Sequence, residues 1–219
     1  MAIVREYRRA PALQLRAPMQ RRAPQQPAGG GGGGGAVWDA VGSKHDATDR
    51  ELVEGGEWRE LVLANADGKM AAAIARHRRR CPATAAAIDA VAAAARMARD
   101  GVGEVTFSAL SAGAHLKPHC GSTNARLTAH LPLLVPDGEV CSIRCGDEVR
   151  TYREGELIVF DDSFEHEVWH TGAAGSGVRV VLLLRFWHPD LEPSEYAGTL
   201  REMRATYRRH QRAATQPPL

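Results

Sequence analysis

The feature that most constrains this chain begins at Gly103, where the apolar pattern drops to a period of two. Val105, Phe107 and Ala109 occupy alternate positions, and alternate side chains of a strand point to one face. Further short apolar segments follow at Arg126–Val135, Val140–Arg144, Glu148–Tyr152, Leu157–Phe160, Glu167–Trp169 and Val178–Trp187. Between them lie turn-forming residues: Pro136-Asp137-Gly138, Gly146-Asp147 and Glu154-Gly155. Seven or eight short strands at this spacing predict a sandwich or a barrel.

The flanks are helical. Met70–Arg80 and Pro82–Asp100 carry helix-forming composition. Pro82 suits a first helical turn, and Gly101 suits the position just past a helix end. Pro193–Arg212 predicts a terminal helix, because Tyr196, Leu200, Met203 and Tyr207 recur at three and four. Ala36–Lys69 is mixed, with a turn at Gly55-Gly56 before Trp58, Leu61, Val62 and Leu63. Residues 1–35 hold six arginines and one acid and end in seven glycines, the composition of a basic tail and flexible linker. An Arg-rich, acid-poor start also suits a transit peptide, or the remnant of a helix. The expected layout is therefore a tail at 1–35, one domain at 36–193 and a helix and tail at 194–219. Within the domain, helices span about 70–100 and the barrel about 103–188.

Charge and cysteine content exclude some classes. The 219 residues carry 28 basic and 26 acidic side chains, a net charge of +2, which gives no argument for nucleic acid. No apolar run reaches the roughly 18 residues of a spanning helix. The four cysteines form neither a dense disulfide framework nor a zinc spacing. Cys141 and Cys145 share a strand face, but about 13 Å would separate their Cα atoms, too far for a disulfide.

Chemistry-bearing residues concentrate in Lys117–His130, Phe160–His170 and Val178–Pro189. His119, His130 and His166 are the candidate metal ligands, since imidazole suits iron, zinc and copper. A His-x-Asp facial motif would use His119-Cys120-Gly121, but glycine stands at the carboxylate position. Arg179 opens a strongly apolar strand, and burying a guanidinium unpaired is costly. Its partner is either a protein carboxylate or the distal carboxylate of a bound dicarboxylic acid, with Ser108 and His130 completing the site from neighbouring strands. Asp161 and Asp162 read as an acid/base pair, or as carboxylates that orient the backbone and His166.

PHCGSTNARLTAHL, CSIRC, EGELIVFDDSFEHEVW and FWHPDL resemble the aspartyl/asparaginyl β-hydroxylase family, from about Asp49 to Pro193. The resemblance implies a mainly β fold with flanking helices, built as a double-stranded β-helix (a jelly-roll, cupin-like barrel). It implies Fe(II), 2-oxoglutarate and O₂, and hydroxylation at the β-carbon of aspartyl or asparaginyl residues in a peptide or protein. His119 and His166 match the iron ligands, and Gly121 matches the two-histidine variant of the site. Ser108, His130 and Arg179 match the 2-oxoglutarate contacts. Asp49, Trp58 and Arg126 match substrate-pocket positions. The chain departs at Thr128, where a second substrate arginine is expected, and lacks a cysteine expected to partner the Cys81 region. Thr128 leaves a different carboxylate-bearing or lipid substrate open. A non-catalytic cupin-type binding module and a structural zinc barrel are the competing readings; the last lacks a fourth soft ligand. The arginine-rich start leaves cytoplasm and organelle both open.

Overall fold

The computed structural model describes residues 38–40, 51–65 and 68–215. The tail at 1–35 and Asp49 lie outside the described residues. Eleven strands among the described residues form two antiparallel sheets. They are β1 (Asp39–Ala40), β2 (Val53–Glu54), β3 (Trp58–Asn65), β4 (Glu104–Ser111), β5 (His115–His119), β6 (Arg126–Leu134), β7 (Cys141–Cys145), β8 (Glu148–Thr151), β9 (Ile158–Phe160), β10 (His166–His170) and β11 (Val178–Trp187). The larger sheet runs β1-β3-β4-β11-β6-β9, the smaller β2-β5-β10-β7-β8. The fold is the double-stranded β-helix, mainly β with flanking helices.

Two hydrophobic layers explain the pattern. Leu110, Val181 and Leu183 of the larger sheet meet Leu116, Ile143 and Val168 of the smaller one inside the barrel. The opposite face of the larger sheet, with Leu61, Leu63, Val105, Leu182 and Leu184, packs under helices. β11 is buried on both faces, which is why its sequence reads as a near-continuous apolar run. Leu63 is fully buried, and a side chain of this size stabilises the fold by about 2 kcal/mol.

The helices are α1 (Ala71–Arg80), α2 (Pro82–Ala90), α3 (Ala92–Asp100) and α4 (Tyr196–Thr215). The expected single helix Pro82–Asp100 is two. It breaks at Val91, which takes an extended conformation (φ −108°, ψ 92°) of the kind a β-branched residue favours. The break lets Ile88 of α2 and Ala94 and Ala95 of α3 share one apolar layer. Gly101 ends α3 in the left-handed region (φ 103°), where a side chain is strained. Helix α4 docks through Tyr196, Leu200 and Met203 on Met97 and Trp187. Strands β3 and β5 were not expected from the pattern. Among the described residues no helix is long and apolar enough to cross a membrane. The four cysteines are free thiols, with Cys141 and Cys145 buried and Cys120 exposed.

Candidate active site

The site begins with a defect in strand pairing. Along β10, Val168 faces Leu116 and His166 faces His119, so two steps on β10 match three on β5. Strict alternation from the inward Leu116 would turn Pro118 inward and His119 out. The bulge inserts one residue and brings His119 opposite His166. The ring centroids of the two histidines lie 4.1 Å apart.

Each ring is held from behind by a backbone carbonyl two residues earlier. Nδ1–H of His119 donates to Lys117 O (2.7 Å), and Nδ1–H of His166 donates to Phe164 O (3.0 Å). A carbonyl only accepts, so Nδ1 carries a proton in both rings, which leaves Nε2 as the nitrogen able to bind a metal. Burial, and after it the neighbouring His119, push His166 down to about 4, so this imidazole is neutral at physiological pH. An imidazole held this way, with Nε2 free of a proton, is what a divalent transition metal takes as a ligand. No third His, Cys, Asp or Glu joins the two histidines in a group of three among the described residues.

The larger sheet supplies the other half. Ser108 on β4 faces Val181 on β11, and His130 on β6 faces Leu183. Phe160 joins the two halves, its ring 5.1 Å from His130 and 5.3 Å from His166. Arg179 is 1% exposed, yet its Nε and Nη1 are buried with no hydrogen-bond partner. Its guanidinium lies over the Tyr152 ring at 5.0 Å. The Tyr152 hydroxyl lies 2.9 Å from His130 Nδ1. Burial first, then the Arg179 charge, hold His130 well below its ordinary range, so it too is neutral. Trp58, on β3, donates its indole N–H to Ser108 Oγ (3.0 Å).

Arg126 and Thr128 are brought to this end of β6, but both bond Asp162. Arg126 Nε and Nη2 donate to the carboxylate at 2.7–3.1 Å, and Thr128 Oγ1 donates to it at 3.0 Å. All three side chains are buried. Burial alone would raise the Asp162 carboxyl, but the Arg126 charge and hydrogen bonds override it and hold the group below its ordinary range. Gly121 sits against this pair: a Cβ there would lie 2.6 Å from Asp162 Oδ1. The position of the missing facial carboxylate is therefore closed to any side chain, because Asp162 fills it. The expectation that the two aspartates orient the backbone and His166 holds for the backbone, through Asp161, and is corrected for the ring. Phe164 O holds that ring, Asp162 holds Arg126 and Thr128, and Asp161 Oδ1 caps the Ser163 N–H.

The sequence model of the family described as "Aspartyl/Asparaginyl beta-hydroxylase" matches residues 36–189. The chain belongs to the aspartyl/asparaginyl β-hydroxylase family. It is 37% identical to the mouse aspartyl/asparaginyl beta-hydroxylase over 147 residues, 67% of this chain and 18% of the relative. It is 34% identical over 140 residues to the human aspartate beta-hydroxylase domain-containing protein 2, which covers 64% of this chain and 36% of that protein. The chain thus spans between about a fifth and about a third of the length of these relatives. Among solved structures it resembles a cupin-2 domain of Rhodospirillum rubrum at 12% identity, with a TM-score of 0.38 over 75% of this chain and 80% of that one.

Within this family member, Phe160 and Tyr152 link His119 and His166 to His130 and Arg179, Trp58 bonds Ser108, and Arg126 stands with Asp162 at the opposite end of β11 from Arg179. Sequence reasoning missed two contributors. Tyr152 gave no signal, because a tyrosine at the end of a short strand is ordinary. The Arg126–Asp162 pair joins residues 36 positions apart, and nothing local in either segment announces it.

Proposed function

We propose that the chain is a 2-oxoglutarate-dependent hydroxylase that holds Fe(II) through Nε2 of His119 and His166. The substrate is an aspartyl or asparaginyl residue of a peptide or protein, oxidised at its β-carbon. The observation that carries this reading is Arg179, a fully buried guanidinium with two N–H-bearing nitrogens left unpartnered. A cation buried in that state implies an anionic ligand, since the desolvation penalty of an unpaired charge amounts to several kcal/mol. A carboxylate of a dicarboxylic acid supplies two oxygens to the two donors. The name of the family supports the hydroxylase class.

Iron bound with 2-oxoglutarate and O₂ would supply the oxidant for an unactivated C–H bond. The chain supplies placement. Lys117 O and Phe164 O fix the two imidazoles so that Nε2 of each is left for a metal before one arrives, which removes a reorganisation cost. Arg179 anchors the far carboxylate of the cosubstrate, and Ser108 and His130 line its path. Phe160 packs against both His130 and His166 and keeps water from the space between them.

One observation favours a second reading of the substrate. Arg126 is already paired with Asp162, and Thr128 spends its hydroxyl on the same carboxylate. A substrate carboxylate would compete with Asp162 for Arg126, whereas an asparaginyl side chain, or a lipid, brings no charge. The test is aerobic incubation with Fe(II), 2-oxoglutarate and matched peptides bearing Asp, Asn or Leu at the target position. Mass detection of a 16 Da gain reads the outcome. We expect Asn to be turned over at least as well as Asp. Turnover of an acyl-lipid panel and of no peptide would replace the peptide assignment with the second reading.

A further inference from the structure

Tyr152 stands outside the residues that the site was expected to use, yet it touches two of them. Its side chain is 2% exposed, and it follows β8 at the wall of the barrel interior. The ring lies beneath the Arg179 guanidinium at 5.0 Å, a cation–π distance. The hydroxyl is 2.9 Å from His130 Nδ1.

These contacts set a direction. The acceptor within reach of the phenol proton is Nδ1 of His130. His130 is buried and neutral, so one ring nitrogen accepts and the other carries hydrogen. If Nδ1 accepts, Nε2 bears the proton. The opposite tautomer would point a lone pair into the space where an anion must sit, and would leave the phenol proton without its partner. Both are penalties in a site of low dielectric. His130 is linked to His166 through the Phe160 ring, which lies 5.1 Å from one and 5.3 Å from the other, and to Arg179 through Tyr152. A dicarboxylic ligand reaching from Arg179 to the His119 and His166 pair passes this imidazole.

We propose that Tyr152 is a positioning residue: its ring lies under the Arg179 guanidinium, and its hydroxyl donates to Nδ1 of His130 and so presents the imidazole to the cosubstrate as an Nε2–H donor. It fixes the guanidinium plane and the histidine tautomer with one side chain. The inference rests on the 2-oxoglutarate reading above for the identity of the ligand, but the tautomer exists without any ligand.

The test is Tyr152→Phe, which keeps the ring and the cation–π contact and removes only the hydroxyl. Melting temperature establishes that the variant is folded. Two-bond ¹H–¹⁵N correlation spectra of the metal-free protein read the His130 tautomer, and anaerobic titration with 2-oxoglutarate and Mn(II) reads affinity. The inference predicts a wild-type His130 protonated at Nε2 and a mixed tautomer in the variant. It also predicts a Kd for 2-oxoglutarate raised about tenfold, the loss expected for one hydrogen bond within a charged network. Mn(II) affinity in the absence of cosubstrate should not change. A wild-type His130 protonated at Nδ1, or an unchanged tautomer and Kd in the variant, overturns the inference. If wild-type protein binds no 2-oxoglutarate, the cosubstrate reading fails, and the tautomer spectra alone decide the role of Tyr152.

Discussion

Arg179 is the most expensive residue in this fold. It lies at 1% exposure with Nε and Nη1 unpartnered, and the ring beneath it offsets only part of the desolvation. On the proposed reading, an anionic ligand offsets the rest. Replacement of a buried charge by an apolar residue of similar length is often neutral or stabilising by about 1–4 kcal/mol. Arg179→Met should therefore raise the melting temperature of the metal-free protein while weakening 2-oxoglutarate binding at least about a hundredfold. Differential scanning calorimetry and an anaerobic titration check both halves, and a variant that melts lower with cosubstrate affinity intact would contradict the account. This residue was legible in the sequence, because an arginine at the head of an apolar strand is conspicuous. Tyr152 was not, nor was the pairing of Asp162, which the sequence marks only as a carboxylate of interest, since their partners lie 22 and 34 positions away and only folding brings them together.

At the scale of elements, the barrel was legible and its decisive irregularity was not. Strands β4 and β6 to β11 follow the alternation and turns of the sequence. Strand β5 does not: HLKPH contains a proline, which cannot donate to a ladder, and its inward residues fall at Leu116 and His119, three apart. Period-two reasoning fails at such a place by construction. The helix break at Val91 was hidden among alanines for a related reason, since no glycine or proline marks it. The bulge gives a direct prediction. Deleting Lys117 removes the bulge and leaves Leu116 and His119 two apart, so regular alternation still turns both inward, whereas deleting Lys117 and Pro118 together makes them neighbours on opposite faces. The expected result is Co(II) binding that survives the single deletion and is lost in the double one, with both barrels folded by circular dichroism. Equal Co(II) affinity in the two deletions would show that strand alternation does not aim the ligand.

Across the molecule, two apolar layers close the barrel around His130 and His166, both held neutral, and these two rings tie stability to pH. The folded state holds His166 at about 4 against an ordinary 6.5. As pH falls through that window, the unfolded chain takes up a proton that the fold refuses, so stability drops; above about 6.5 the group is neutral in both states and stability is flat. The sign is that of a depressed pKa, and the full effect is about 3 kcal/mol. His130, also held low, adds in the same direction. Melting temperature of the metal-free protein should fall between pH 6.5 and 4.5, and His166→Gln should flatten that slope. The central claim is that these histidines and Arg179 form one cosubstrate-consuming centre. It is tested most directly by succinate formation from 2-oxoglutarate under air with Fe(II) and peptide, in wild type and in His166→Ala. The account predicts succinate in step with the 16 Da product for wild type and none above background for the variant. Equal succinate from both proteins would contradict it.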